Sequence, residues 1–191
     1  TCLDGGILVL KTEEEMRKLH EMRLLGMGQS AEIMYQNSRA WTYDMKHLGY
    51  RYHMSNMHAA MGSAQLSKMY EIETSRREAC RFYNQELKSL TEITTPKTNF
   101  EDIVPFLYYI RVPADVRDEF KSYLYDNGID TGIHWQPGHW FTLLKEAKRG
   151  DLSVTDIIGH EILSLPLHSN MLQSDLDKIV KYIKLFFEPK K

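Results

Sequence analysis

Apolar residues recur along this chain with two different periods, and the change from one to the other divides it. An apolar run, Ile7-Leu8-Val9-Leu10, opens the sequence and ends at Lys11, which predicts a buried strand. Thr12 followed by Glu13, Glu14 and Glu15 sets up a helix start, since the hydroxyl and the Glu15 carboxylate can each take an unpaired N–H. That helix is predicted from Glu13 to Leu25, burying Met16, Leu19 and part of the turn from Met22, and breaking at Gly26 and Gly28. From Gln29 to Leu48 no period is sustained, and a loop with short turns is expected. Helical spacing then runs from Ser55 to Leu90, through Met54, Met57, Met61 and Ala64 and on to Ile72, Ala79, Phe82, Leu87 and Leu90. Its first half is lined with Ala59, Ala60, Gly62, Ser63 and Ala64, small residues that predict close packing on more than one side.

After Pro96 strands and helices alternate. Phe106, Tyr108, Ile110 and Val112 share one face of a predicted strand, and Leu107, Tyr109 and Arg111 the other. Pro113 opens a helix that should bury Val116, Phe120, Tyr123 and Leu124 and stop at Asn127-Gly128. Ile129, Thr131 and Ile133 alternate as a second strand, and an aromatic loop follows from His134 to Trp140. A helix from Val154 to Ile162 leads into a short strand at Leu163-Ser164-Leu165. Ser174 with Asp177 starts a last helix striped by Leu176, Ile179, Val180, Ile183, Phe186 and Phe187. Helices against a short, mainly antiparallel sheet make an α+β sandwich. The charged stretch from Met69 to Glu78, with nine of the ten methionines at or before Met69, places a domain boundary there, giving residues 1–70 and 71–191.

Composition narrows the classes. A chain of 191 residues with 42% hydrophobic and 26% charged positions is long enough for a buried core and unlike a disordered or collagen-like polymer. The formal net charge of −2 supplies no basic field for nucleic acid or an anionic membrane, and no apolar run approaches the roughly 20 residues that cross a bilayer. Two distant cysteines, Cys2 and Cys80, suit a reducing compartment, so a cytoplasmic setting is expected. The start at Thr1, without a signal-like segment and directly before an apolar run, suggests that the chain begins inside a longer fold.

General catalytic motifs fail. His160-Glu161 has Ser164 where a zinc helix needs its second histidine, and His53 and His58, five apart, do not share a helix face; no metal is expected. Gly26-x-Gly28 follows a helix and lacks a third glycine, and neither a phosphate-binding Gly-x-x-x-x-Gly-Lys loop nor a Gly-x-Ser-x-Gly elbow occurs. Three less general segments remain. They are Leu3-Asp4-Gly5-Gly6, the stretch from Leu48 to Lys68, and Gly132-Ile133-His134-Trp135-Gln136-Pro137-Gly138-His139.

In order and spacing these segments resemble the DegT/DnrJ-type family of pyridoxal-phosphate-dependent nucleotide-sugar aminotransferases, from Thr1 to about Phe187. Gly49-Tyr50, Tyr52, Met54, Ala60, Gln65-Leu66 and Lys68 match the family's middle element. Gly128, Thr131, His134, Pro137 and His139 match its late loop, and Leu163-Ser164-Leu165-Pro166-Leu167-His168 looks like its Ser-Leu-Pro-Leu-His segment. Four positions depart from the pattern. Arg51 stands where the family often has an Asn that reaches the cofactor phosphate of the neighbouring subunit, His53 replaces an Arg, and Leu3-Asp4 replaces Gly-Glu.

The resemblance implies the C-terminal part of a fold type I transferase: the end of the large cofactor-binding domain with the interdomain helix over 1–70, and the small α/β sandwich domain over 71–191. It implies transfer of an amino group from glutamate to a keto sugar carried on a nucleotide diphosphate, with pyridoxal 5'-phosphate as cofactor and active sites shared in a homodimer. The Schiff-base lysine is then expected upstream of Thr1, so the chain alone should be inactive. The roles left to this chain are a cofactor-phosphate contact to the neighbouring subunit by Arg51, and a substrate cleft lined by Lys68 as diphosphate contact with His134, Gln136 and His139. Two alternatives stay open: a sugar dehydratase of the same family, with His at the lysine position, and a non-catalytic interaction module.

Overall fold

A computed structural model describes residues 2–28 and 44–188, which divide into two units, Thr1–Lys68 and Met69–Lys191. The expected loop from Gln29 to Leu48 falls mostly outside the described residues.

Among its described residues the first unit carries two helices, α1 (Glu13–Met22) and α2 (Asn56–Ser67). Thr12 caps α1 as its sequence predicts: Thr12 Oγ1 accepts from Glu15 N–H at 3.2 Å, while Glu15 Oε2 accepts from Thr12 N–H at 3.1 Å. Lys11 N–H first, at 3.0 Å, and Thr12 N–H next hold the Glu15 carboxyl below its ordinary range. The helix ends at Met22 rather than Leu25, because Gly26 N–H turns back to Glu21 C=O and Met22 C=O takes Tyr50 N–H. Neither Met16 nor Leu19 is buried. Ser55 caps α2 through His58 N–H at 3.2 Å. The small-residue face predicted to pack on several sides is exposed at Ala59, Ala60, Ser63 and Ala64. The buried strand expected at Ile7–Leu10 is likewise absent; Ile7, Leu8 and Val9 are 86%, 72% and 94% exposed, and no described residue forms a ladder with them. An apolar run becomes a buried strand only where neighbouring backbone takes its N–H and C=O groups.

The helix predicted as one piece from Ser55 to Leu90 is two, since Lys68 leaves helical geometry and α3 starts afresh at Met69 and runs to Leu87. In the second unit α3 is followed by β1 (Tyr108–Arg111), α4 (Arg117–Asp126), α5 (Ser153–Glu161), β2 (Ile162–Leu165) and α6 (Gln173–Phe187). The strands pair antiparallel, Tyr108 opposite Leu165 and Ile110 opposite Leu163, so these four side chains share one face. That face meets Cys80, Tyr83 and Leu87 of α3, Phe120 and Leu124 of α4, and Leu176, Ile179, Val180 and Ile183 of α6 in one core. Two polar groups enter it with partners: Tyr83 donates to Pro166 C=O at 3.0 Å and Tyr108 to Asn84 Oδ1 at 2.6 Å. Burial raises both phenols above the ordinary tyrosine value. The result is the predicted sandwich of helices on a small sheet.

Local details differ from the sequence expectation. β1 covers four of the seven predicted positions, and Phe106 at its start is 65% exposed. Tyr123 and Val116 are half-buried. The second predicted strand reduces to one bridge, Gly132 with Ser164, though Ile129 and Thr131 are buried as the alternation requires. Asp175, rather than Ser174, caps the start of α6: its carboxylate accepts from Leu172 N–H at 2.9 Å.

Candidate functional site

The loop from Gly132 to Trp140 is fastened at both ends. At the first end Gly132 N–H donates to Ser164 C=O at 3.1 Å, and Ser164 N–H donates to Gly132 C=O at 2.7 Å. A side chain at Gly132 would push the His134 ring aside, because a Cβ there would stand 2.3 Å from its Cε1. At the other end Pro137 is buried, and a 3-10 turn over Gly138–Trp140 turns two rings onto α5. Asp156, in the first turn of α5, takes both: its Oδ1 lies 2.7 Å from His139 Nε2 and accepts from Trp140 Nε1 at 2.7 Å. These bonds, the Trp140 donor first and His139 next, hold the Asp156 carboxyl below its ordinary range. Gly159 one turn further lets Pro137 and Trp140 approach, since a Cβ there would meet their ring carbons at 2.6 and 2.8 Å. Trp140 also lies over the His160 ring at 4.5 Å.

Between these anchors the loop presents His134, Trp135 and Gln136. Trp135 is 67% exposed, packs beside Phe106 with ring centres 6.4 Å apart, and meets the His134 ring edge-on at 5.5 Å. Gln136 is exposed. An imidazole, an amide and an open aromatic ring on a fastened loop can donate to and accept from a polyhydroxylated or phosphorylated ligand while offering a ring face to its apolar surface. His139 contributes less freely, because its Nε2 is committed to Asp156 and only Nδ1 is left for a ligand.

The other two candidates lie in the first unit. Arg51 forms a bridge with Leu24, and its neighbours Tyr50 and Tyr52 stack on one face of the segment with ring centres 5.2 Å apart, which sends Arg51 to the opposite face. Its guanidinium is exposed and has no carboxylate partner among the described residues. Lys68 terminates α2, with its N–H on Gln65 C=O at 3.1 Å and its side chain exposed. Thus His134, Gln136 and His139 share one loop, and Arg51 and Lys68 belong to a different unit.

Sequence reasoning passed over Asp156, Trp140 and Gly159, which hold the loop. Asp156 lies 16 and 17 residues from its partners, too far for any motif to link them. Among the described residues no cluster of His, Cys, Asp and Glu fit for a metal occurs, and no helix is long and apolar enough to cross a membrane.

The model of the DegT/DnrJ/EryC1/StrS aminotransferase family matches residues 1–184. The fold is similar to AtS13 from Actinomadura melliaura, with a TM-score of 0.84 and 24% identity over 97% of this chain and 48% of that one. It is similar to the sugar aminotransferase CalS13 from Micromonospora echinospora, with a TM-score of 0.74 and 22% identity over 86% of this chain and 43% of that one. It is also similar to the aminotransferase TlmJ from Streptoalloteichus hindustanus, with a TM-score of 0.70 and 26% identity over 86% of this chain and 42% of that one. The chain spans somewhat less than half the length of these three proteins.

Proposed function

The chain belongs to the DegT/DnrJ/EryC1/StrS aminotransferase family, and on that premise we propose that it is the C-terminal part of a pyridoxal-phosphate-dependent enzyme that aminates a keto sugar carried on a nucleotide diphosphate, with glutamate as amino donor. The observation that carries the reading is the family match through residue 184 together with the outward, fastened loop at His134–Trp140. In this reading the first unit completes the cofactor-binding domain and the second is the small domain. The exposed apolar run at Ile7–Val9 and the exposed Met57 and Leu66 of α2 support contact with more protein, in a homodimer with shared sites. Two free thiols suit a cytoplasmic setting.

Arg51 fits the cofactor phosphate as a single contact. An exposed guanidinium without a carboxylate partner among the described residues offers a two-pronged donor to phosphate oxygens, although one cation is a contact and not a cradle. When bound, the cofactor supplies the electron sink for amino transfer. The chain's own residues bind and orient: Lys68 meets a diphosphate as a point charge, while His134 and Gln136 hydrogen-bond sugar or phosphate oxygens, with His139 Nδ1 beside them.

The test is glutamate-dependent amination of nucleotide-linked keto sugars by the protein that carries this chain, followed as 2-oxoglutarate release. Release supports the reading; intact cofactor binding without release from any such sugar removes the substrate assignment. For this chain by itself, borohydride reduction with pyridoxal phosphate should fix no cofactor at one specific site. A stoichiometric adduct at Lys11 or Lys68 would show that the reactive lysine is here after all.

A further inference from the structure

Among the described residues, three buried side-chain atoms have no hydrogen-bond partner within the protein: Thr131 Oγ1, His134 Nδ1 and Ser164 Oγ. The last two lie at one place. Ser164 stands in the middle of a ladder, opposite Tyr109 on one side and Gly132 on the other. Residues directly opposed in antiparallel pairs turn their side chains to the same face. Tyr109, Ser164 and the open side of Gly132 therefore share the outer face of the sheet, away from the core that Tyr108, Ile110, Leu163 and Leu165 fill. On that face Ser164 is nonetheless only 3% exposed. The position beside it is taken by the Cε1 edge of the His134 imidazole, with Cε1 at 2.3 Å, Nδ1 at 2.9 Å and Nε2 at 3.2 Å from where a Gly132 Cβ would be.

A hydroxyl and a ring nitrogen, both buried next to Gly132 and unpaired, are costly to leave so. They do not bond to each other directly, and a polar gap of this kind is what a buried water ordinarily fills. We propose that Ser164 is a positioning residue for His134: one buried water joins its hydroxyl to His134 Nδ1, with Nδ1 as acceptor, so that the neutral ring carries its proton on Nε2. Nδ1 is the ring nitrogen found among those buried unpaired atoms, which leaves Nε2 as the nitrogen to meet a ligand. Fixed as an N–H, it faces a ligand as a donor, matched to sugar or phosphate oxygens rather than to an ammonium or amide N–H. Glycine at position 132 is part of the arrangement, since any side chain would displace the ring. The placement of Ser164 is independent of the proposed function; the use made of Nε2 rests on it.

The test is a long-range proton–nitrogen correlation spectrum of the chain with 15N-labelled histidine, recorded without cofactor or substrate at alkaline pH, where imidazoles are neutral. His134 is assigned by its loss in His134→Gln. The wild-type chain should show one tautomer, Nδ1 resonating as a bare nitrogen and Nε2 as an N–H nitrogen. In Ser164→Ala the two shifts should move toward each other as both tautomers populate, with near-UV circular dichroism checking that the fold is kept. A wild-type spectrum with Nδ1 protonated, or with the pair already averaged, overturns the proposal whether or not the variant folds. So does a Ser164→Ala spectrum identical to the wild type. Because no ligand enters, either result speaks about Ser164 alone; failure of the protein to bind a nucleotide sugar, with the tautomer as expected, would instead count against the substrate reading.

Discussion

The two units use the same amino acids differently. In the second unit apolar residues at helical and strand spacing meet in one core, where Cys80, Tyr83, Leu87, Ile110, Phe120, Leu124, Leu163 and Ile183 are fully buried. In the first unit α1 and α2 satisfy their own backbones and cap their own starts, yet neither buries a single residue. Local helix formation needs only propensity and capping; burial needs a partner surface, and among the described residues only those of the second unit supply one.

Thiol chemistry gives the largest separation between the units. Burial pushes the Cys80 thiol up to about 12, against the weaker pull of Arg76 and Arg81. Cys2 is half-buried. A thiol reagent at neutral pH should label Cys2 readily, with Cys80 slower by about a thousandfold or more and released only on unfolding. Equal rates by mass spectrometry would mean that the second unit's core opens as freely as the first unit.

Truncation gives the next. Leu163→Ala, at a fully buried position facing Ile110, should cost about 2–5 kcal/mol in denaturant unfolding. Leu66→Ala, at a position 66% exposed, should change the stability of the unassociated chain by no more than about 0.5 kcal/mol. A large loss at Leu66 would show that α2 is covered in solution by something else, a second subunit first among the candidates, and a rerun at low protein concentration would separate that from a fault in the comparison.

The same division explains what was legible in the sequence. Period and capping located α1, α4, α5, α6 and both strands to within a few residues, because Thr12, Gly128 and the stripe from Leu176 to Ile183 act through neighbours close in the chain. Ile7–Leu10 has the composition of a buried strand, but composition cannot say whether backbone partners exist. The reduction of 129–133 to a single bridge has a related cause: after Gly132 the loop turns the His134 ring back over the ladder instead of continuing it. At the candidate site the loop itself was visible as Gly132 to His139, whereas its fastening by Asp156 and the approach permitted by Gly159 depend on the packing of α5, which no spacing encodes.

The smallest effect concerns a histidine–carboxylate contact present in each unit. In the first, His47 Nε2 lies 3.2 Å from Glu21; in the second, Asp156 receives His139 and Trp140 together at 2.7 Å. Two donors on one carboxylate favour its charged form, and the folded Asp156 is accordingly more acidic than an unfolded one. Its contribution to stability is therefore complete above the ordinary aspartate value of about 3.9 and fades as pH falls through the lower folded value. Asp156→Asn keeps an oxygen for Trp140 but removes the charge, so it should be less stable than the wild type at neutral pH and converge with it in acid. Asp156→Ala removes the acceptor as well and should remain less stable even there, with Trp140 fluorescence shifted toward that of a solvated indole. Were Asp156→Asn to lose the same stability at every pH, the carboxylate's charge would have no part in holding the loop, and the two units would differ there in packing alone.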